Sequence, residues 1–192
     1  MAVKAGVLDF QGAVTEHLAA LKRCGVEAVP VREAGQLAEL DGLIIPGGES
    51  TTIGKLMAFS GMDEAIIKRC REGMALWGTC AGMVLMAKEV EGAAGKQPLL
   101  RLMDVTVRRN AFGRQRESFE TKLDVKGIDH PIEGVFIRAP LIVQTGPTVE
   151  VLCALEKGIV AAQSGRLLAT SFHPELTDDL SMHRYFLHLC QN

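Results

Sequence analysis

No apolar run in this chain approaches the roughly 20 residues that a helix needs to cross a bilayer. A membrane-spanning role is therefore not expected. Aromatics are scarce: one Trp, one Tyr and seven Phe in 192 residues, and no row of them accompanies the arginines. That argues against a stacking platform for single-stranded nucleic acid. A formal net charge of -2 adds no pull toward nucleic acid or an anionic membrane. The five cysteines, at 24, 70, 80, 153 and 190, are odd in number and scattered. They form no Cys-x-x-Cys pair and no Cys/His cluster with zinc spacing, so neither a disulfide framework nor a metal site is expected. Cys24, Cys70, Cys153 and Cys190 read as packing residues. The opening Met1-Ala2-Val3-Lys4-Ala5-Gly6 runs straight into a strand pattern, without the charged start, long apolar stretch and cleavage site of a signal peptide. These absences predict a cytoplasmic protein with no membrane and no nucleic-acid partner.

What is present is an ordinary globular composition, 47% apolar, and a length that fits one domain over residues 1–192. Strand candidates at Val3–Phe10, Val26–Val31 and Leu43–Ile45 alternate with helix candidates at Ala13–Cys24, Ala34–Leu40 and Met62–Glu72. Ser50 or Thr51 is suited to cap a helix after Pro46-Gly47-Gly48. The alternation predicts an α/β fold of three α/β/α layers around a mostly parallel sheet. Glu91–Lys96 reads as a loop. Beyond it the chain breaks into short strands at Val105–Val107, Phe119–Val125, Val135–Ile137, Val149–Leu155, Ile159–Gln163 and Leu167–Ser171. Several of these are expected to pair as antiparallel hairpins that extend the sheet. A helix over Asp178–Leu189 closes the chain.

The most informative segment is Gly78-Thr79-Cys80-Ala81-Gly82. An apolar run precedes it (Met74 to Trp77) and another follows to about Lys88, which reads as strand, sharp turn, helix. A nucleophile on such an elbow needs glycine on both sides, because only a missing Cβ relieves the crowding. The elbow aims the thiol at a helix N-terminus, where unpaired N–H groups favour the thiolate. A buried cysteine at a helix start is the plain alternative. Near the other end stands Ser171-Phe172-His173-Pro174-Glu175. Pro174 pushes His173 toward extended geometry, in which residues two apart share a side, so His173 and Glu175 can converge. Cysteine, histidine and acid are the nucleophile, base and orienter of acyl transfer.

Gly48-Glu49-Ser50-Thr51-Thr52-Ile53-Gly54-Lys55 looks like a phosphate-binding loop, but the spacing fails. Five residues separate the glycines where four are needed, and Leu56 stands where a hydroxyl should bind magnesium. The Gly47-Gly48 pair has a better use at the carboxyl edge of the sheet, where open α/β sheets bind ligands. A Gly48 N–H and the Ala81 N–H could serve as oxyanion donors. A plain Gly-Gly turn is the alternative.

Taken together, the elbow cysteine, His-Pro-Glu and Pro-Gly-Gly resemble class I, triad-type glutamine amidotransferases. Four strings narrow the resemblance to the glutaminase subunits of pyridoxal 5′-phosphate synthases. These are Pro46-Gly47-Gly48-Glu49-Ser50-Thr51, Arg109 to Gln115 (Arg-Asn-Ala-Phe-Gly-Arg-Gln), Phe136-Ile137-Arg138-Ala139-Pro140 and Ser171 to Leu176. The opening Gly6-Val7-Leu8-Asp9-Phe10-Gln11-Gly12 is similar to that family's first strand and loop. The resemblance implies a flavodoxin-like fold and hydrolysis of L-glutamine to glutamate and ammonia with no cofactor. Cys80, His173 and Glu175 would form the triad, with Gly48 and Ala81 as the oxyanion hole. Glutamine contacts are implied at Gly48, Glu49, Ser50, Arg109, Ile137 and Arg138. An arginine fork suits the α-carboxylate of free glutamine, and Glu49 could suit its ammonium. Of the arginine cluster at 101, 108, 109, 114 and 116, the residues Arg101, Arg108 and Arg116 read as a solvated or partner-facing surface.

A chain that holds a glutaminase and little else also implies a partner. The family pattern is a large hetero-oligomer in which the glutaminase docks on a barrel-shaped synthase and is quiescent until docked. Reorientation of Pro46-Gly47-Gly48, with Gln11-Gly12 nearby, is the expected means. Two alternatives stand beside this. One is the glutaminase subunit of another class I amidotransferase, such as imidazole glycerol phosphate synthase; the Arg109–Gln115 and Phe136–Pro140 strings argue against it. The other is a non-catalytic docking subunit that keeps the fold; the intact Cys80, His173 and Glu175 argue against that.

Overall fold

The apolar runs of the first half assemble into a sheet because each is too apolar to face water on either side. The structure, a computed structural model, describes residues 3–92, 97–112 and 118–191. Strands β1 (Lys4–Leu8), β2 (Glu27–Val31), β3 (Gly42–Ile45) and β4 (Ala75–Thr79) are joined by α1 (Val14–Arg23), a 3-10 turn (Ala34–Glu39), α2 (Ser50–Ser60) and α3 (Met62–Arg71). After β4 come α4 (Ala81–Met86), β5 (Ala87–Val90), β6 (Met103–Arg108), β7 (Ser118–Leu123), β8 (Ile132–Ile137), β9 (Leu141–Thr145), β10 (Glu150–Leu155), β11 (Gly158–Ser164) and β12 (Leu167–Thr170). A 3-10 turn (Pro174–Leu176) and α5 (Ser181–Gln191) end the fold.

The main sheet runs β2-β1-β3-β4-β12-β11-β9-β6-β5, with β10 paired to β11. From β2 to β12 every pairing is parallel. The first five places therefore follow the flavodoxin-like order 2-1-3-4-5. The extension through β11, β9 and β6 is antiparallel, and β5 then pairs parallel to β6. The expected parallel sheet with an antiparallel extension is thus present. Alternate residues of the central strands feed opposite faces. Ile44 and Trp77 pack with Leu21 of α1 and Phe186 of α5. Leu43, Ile45 and Leu76 pack with Ile53, Met57 and Ile66 of α2 and α3. That is the three-layer arrangement. The hairpin β7–β8 forms a second small sheet, and its Phe136 lies against Phe172.

Several boundaries differ from expectation for local reasons. α4 stops at Met86 rather than near Lys88, and the chain continues directly as β5. All six residues of α4 are buried, so it has no polar face whose period could mark its end. Strand β9 follows Pro140 and pairs with β6, a long-range choice that no local pattern announces. Neither Ser50 nor Thr51 caps α2; the Glu49 side chain does, accepting from the N–H groups of Thr51 (3.2 Å) and Thr52 (2.6 Å). The expected loop at Glu91–Lys96 lies partly outside the described residues, as do Gly113, Arg114, Gln115 and Arg116 of the arginine-rich segment. Among the described residues no helix is long and apolar enough to cross a membrane.

Candidate active site

Parallel strands deliver their carboxyl ends to one edge, and the loops there carry the candidate residues. The loop after β1 holds Gln11-Gly12, the loop after β3 holds Gly47 to Glu49, and β4 ends at Cys80. Cys80 has φ 50° and ψ -102°, a conformation that costs a side-chain-bearing residue of order 1–3 kcal/mol. Its surroundings enforce it. A Cβ at Gly82 would collide with the Ile45 carbonyl, and one at Gly78 with the backbone of Gly82. The Cys80 N–H is tied to the Thr170 carbonyl at 2.8 Å, across the β4–β12 pairing. The expected elbow is therefore built from strand to helix, although the helix behind it is only six residues long.

His173 follows β12, and its Nδ1 lies 2.8 Å from Glu175 Oε1. The pair converges as expected but by another route. Pro174 opens a 3-10 turn, and it is this turn, not an extended segment, that brings the carboxylate back under the imidazole. Both side chains are almost wholly buried. Burial opposes a charged imidazole, yet the neighbouring Cys80 and Glu175, the latter hydrogen-bonded to Nδ1, outweigh it and raise His173 to about 10; His173 Nε2 has no hydrogen-bond partner among the described residues. Glu175 is pushed up by burial and pulled below its ordinary range by the facing His17 and His173. His173 is thus suited to hold a proton surrendered by Cys80.

The Gly47–Gly48 turn is fitted against this pair. A Cβ at Gly47 would stand 2.6 Å from His173 Cε1 and 3.5 Å from Cys80 Cβ. Gly12, at φ 98°, packs so closely on the Gly47 carbonyl oxygen that no Cβ fits between them. The Glu49 N–H donates to Gln11 Oε1 at 2.6 Å. The two glycine loops therefore grip one another beside the thiol.

A cleft of about 810 Å³ opens over these residues. Cys80, Ala81, His173, Gly48, Glu49 and Ser50 line it. Arg109, Ile137 and Arg138 line it too. Of the ten expected site residues only Glu175 is absent from the lining, because it lies behind His173. Arg138 has φ 44°, a second strained residue at the same cleft, and the neighbouring Ile137 carbonyl lies 3.9 Å from Cys80 Sγ. The Glu49 carboxylate is pushed up by burial but held below its ordinary range by the hydrogen bonds from Thr52 and Thr51. It serves as helix cap and cleft wall together, and Arg109 Nη2 stands 3.4 Å from it.

One residue that the sequence does not point to organises the rim. Gln97 is buried, and its Oε1 accepts from Ser50 Oγ (3.0 Å), Thr51 Oγ1 (3.2 Å) and Arg109 Nη1 (3.3 Å). It fixes Ser50 and Arg109 relative to each other at the cleft. Nothing local marks it, since its three partners lie 12 to 47 positions away. Gln97→Ala is expected to raise KM for a ligand held by Ser50 and Arg109 by about tenfold, one charge-assisted hydrogen bond's worth, with a smaller change in kcat. Steady-state kinetics check this, and a fall in kcat alone counts against the rim role.

Comparison with known proteins agrees with this geometry. The model of the SNO glutamine amidotransferase family matches residues 7–192. A protein named "Pyridoxal 5'-phosphate synthase subunit PdxT" from Niallia circulans is 60% identical over 185 residues, 96% of each chain. One of the same name from Anoxybacillus flavithermus is 52% identical over 187 residues, 97% of this chain and 96% of that one. A solved structure described as a glutamine amidotransferase superposes with a TM-score of 0.93 at 51% identity, covering 98% of this chain and 99% of the other. An elbow cysteine, a paired histidine and a glycine turn in a flavodoxin-like sheet are thus joined to similarity along nearly the whole sequence, and the chain belongs to the SNO glutamine amidotransferase family.

Proposed function

We propose that residues 1–192 form one glutaminase domain, which hydrolyses L-glutamine to L-glutamate and ammonia for a pyridoxal 5′-phosphate synthase. The observation that carries the proposal is the His173–Glu175 pair, 2.8 Å apart, beside an elbow cysteine in an open cleft. The names of the relatives support the pathway and the partner.

The chemistry follows from the residues. Cys80 Sγ attacks the side-chain carbonyl carbon of glutamine, and its proton passes to His173 Nε2. The carbonyl oxygen becomes an oxyanion, which the N–H groups of Gly48 and Ala81 receive; one such donor is typically worth about 10²–10³ in turnover. His173 returns the proton to the leaving nitrogen, ammonia departs, and a thioester remains on Cys80. Water, deprotonated by His173, then attacks the thioester. Glutamate leaves, and the proton returns to the sulfur. Glu175 holds the imidazole through Nδ1 and offsets its charge. No step calls on a cofactor. Arg109 and Arg138 suit the α-carboxylate of the substrate, the Ile137 carbonyl borders the reacting sulfur, and Ser50 and Glu49 suit the α-ammonium. Ser50 donates its proton to Gln97, which leaves its lone pairs free to accept.

Ammonia released into water at neutral pH is mostly ammonium, a poor nucleophile, so the product must pass to a docked acceptor. We assign that role to a barrel-shaped synthase within a large hetero-oligomer in the cytoplasm. Docking is proposed to reorient the Gly47–Gly48 peptide, which Gln11 and Gly12 grip in the free chain. The test is ammonia release from glutamine by the chain alone and after mixing with the synthase. A large rise on mixing is expected; equal rates defeat activation by docking, and no release in either case defeats the glutaminase reading.

A further inference from the structure

Behind the His173–Glu175 pair lie two imidazoles that the proposed reaction does not use. His17 on α1 and His183 on α5 are fully buried, an uncommon state for titratable rings. His17 Nδ1 and His183 Nε2 are 3.0 Å apart. His17 Nε2 stands 3.4 Å from Glu175 Oε2 and 3.4 Å from Thr79 Oγ1. Trp77 meets both rings edge-on, with centroids at 5.6 Å and 5.1 Å, and its own Nε1–H is committed to Thr170 Oγ1. Glu175 Oε1 is taken by His173, and Oε2 has no hydrogen-bond partner among the described residues; His17 Nε2 approaches it at ion-pair distance, 3.4 Å, without hydrogen-bond geometry. A buried carboxylate oxygen without a donor is costly, and His17 Nε2 is the nitrogen that faces it.

We infer that His17 is a positioning residue for the triad: its Nε2–H steadies Glu175 Oε2, and His183 fixes that tautomer by donating its own Nε2–H to His17 Nδ1. The inference rests on the role given to Glu175 above. Only one proton can lie between His17 Nδ1 and His183 Nε2. Were it on His17, the Nε2 lone pair of that ring would oppose the carboxylate. His183 would then carry its proton on Nδ1, which meets no acceptor among the described residues. With the proton on His183 Nε2, the carboxylate gains a donor and only a bare ring nitrogen is left over, which is cheaper than an orphan N–H. Thr79 Oγ1, at the same 3.4 Å, is the group that meets hydrogen-bond geometry with His17 Nε2 in this structure, but the carboxylate is the stronger acceptor and its Oε2 is otherwise without a donor. Burial lowers both rings, His183 to about 3, so both are neutral. The ionisable groups around them are Glu175, His173, Glu16 and Arg23. Held by an imidazole at each oxygen, Glu175 cannot swing, and His173 keeps its aim at Cys80.

Two measurements test this. In the full chain labelled with nitrogen-15 histidine, long-range proton–nitrogen spectra at neutral pH should show His17 and His183 neutral and protonated on Nε2. A proton on His17 Nδ1, or on both of its nitrogens, overturns the inference whatever the activity. Kinetics with the synthase present give the second reading. His17→Leu should lower kcat by about 10–100-fold, the scale seen when the outer hydrogen-bond partner of a metal-site ligand is lost, with KM for glutamine little changed. His17→Gln, which restores a donor near Nε2, should recover most of the loss. Equal kcat in wild type and a folded His17→Leu overturns the inference, as does failure of His17→Gln to rescue while melting like wild type. Should His17→Leu not fold, the tautomer measurement decides. Wild type that releases no ammonia sinks the glutaminase reading instead, and the tautomer can still be read.

Discussion

Cys80→Ala should reduce ammonia release by about 10⁴–10⁶, the usual consequence of deleting a covalent nucleophile, and leave the fold in place. Alanine inherits the positive φ of the elbow, so the backbone cost is the same in both proteins and the comparison isolates the sulfur. The hydrogen bond from residue 80 to the Thr170 carbonyl is made by the backbone and survives. What goes with the sulfur is its electrostatic influence on His173 and a long approach to the Ile137 carbonyl, 3.9 Å. Neither ties one element of the fold to another as the backbone bond does. Melting temperature and binding to the synthase are therefore expected to stay near wild type while turnover disappears. A fall of less than tenfold would instead favour a docking subunit that merely keeps the fold.

How much of this was open to view in the sequence depends on how far apart the partners lie. The elbow was legible because its requirement is local: Gly78 and Gly82 flank Cys80 and leave room for one sharp turn. His173 and Glu175 were legible as a pair for the same reason, although Pro174 turns the chain into a 3-10 turn and not into a strand. The parallel half of the sheet was legible because Leu43-Ile44-Ile45 and the run before Cys80 are apolar on both faces. Gln97 was not, since its value comes from Ser50, Thr51 and Arg109, brought to it by the fold. Nor were His17 and His183, which stand on amphipathic helices 166 positions apart and meet only when α1 and α5 pack on the same face of the sheet. Glu49 shows a subtler gap. Its neighbours Ser50 and Thr51 are the commoner caps, but the cap position falls one residue earlier, and the carboxylate takes it.

Glu175→Gln should lower kcat by about 10⁴, the scale seen when the acid of a nucleophile–histidine–acid triad becomes an amide. The wild-type carboxylate faces His173 Nδ1 through one oxygen and His17 Nε2 through the other. An amide has one oxygen and one NH₂, so it can accept on only one side. If the NH₂ faces His173, the imidazole must carry its proton on Nε2, toward Cys80, and it cannot act as base. If the oxygen faces His173, the charge that offsets the imidazolium is still gone, and the NH₂ confronts the donor of His17. The same change should flatten the dependence of stability on pH. His173 has its folded-state value raised to about 10, so its contribution is complete below the ordinary imidazole range near 6.5 and is lost as pH climbs through 10. Glu175 is lowered, so its contribution is present above its ordinary 4.5 and is lost as pH falls. The His173–Glu175 pair contributes to both arms, beside Cys80 on the basic arm and His17 on the acidic one. Melting temperatures of wild type and Glu175→Gln between those limits should converge at the two ends and differ most between them. Parallel curves would mean that the imidazole draws its proton affinity from Cys80 alone, and that Glu175 does not hold it.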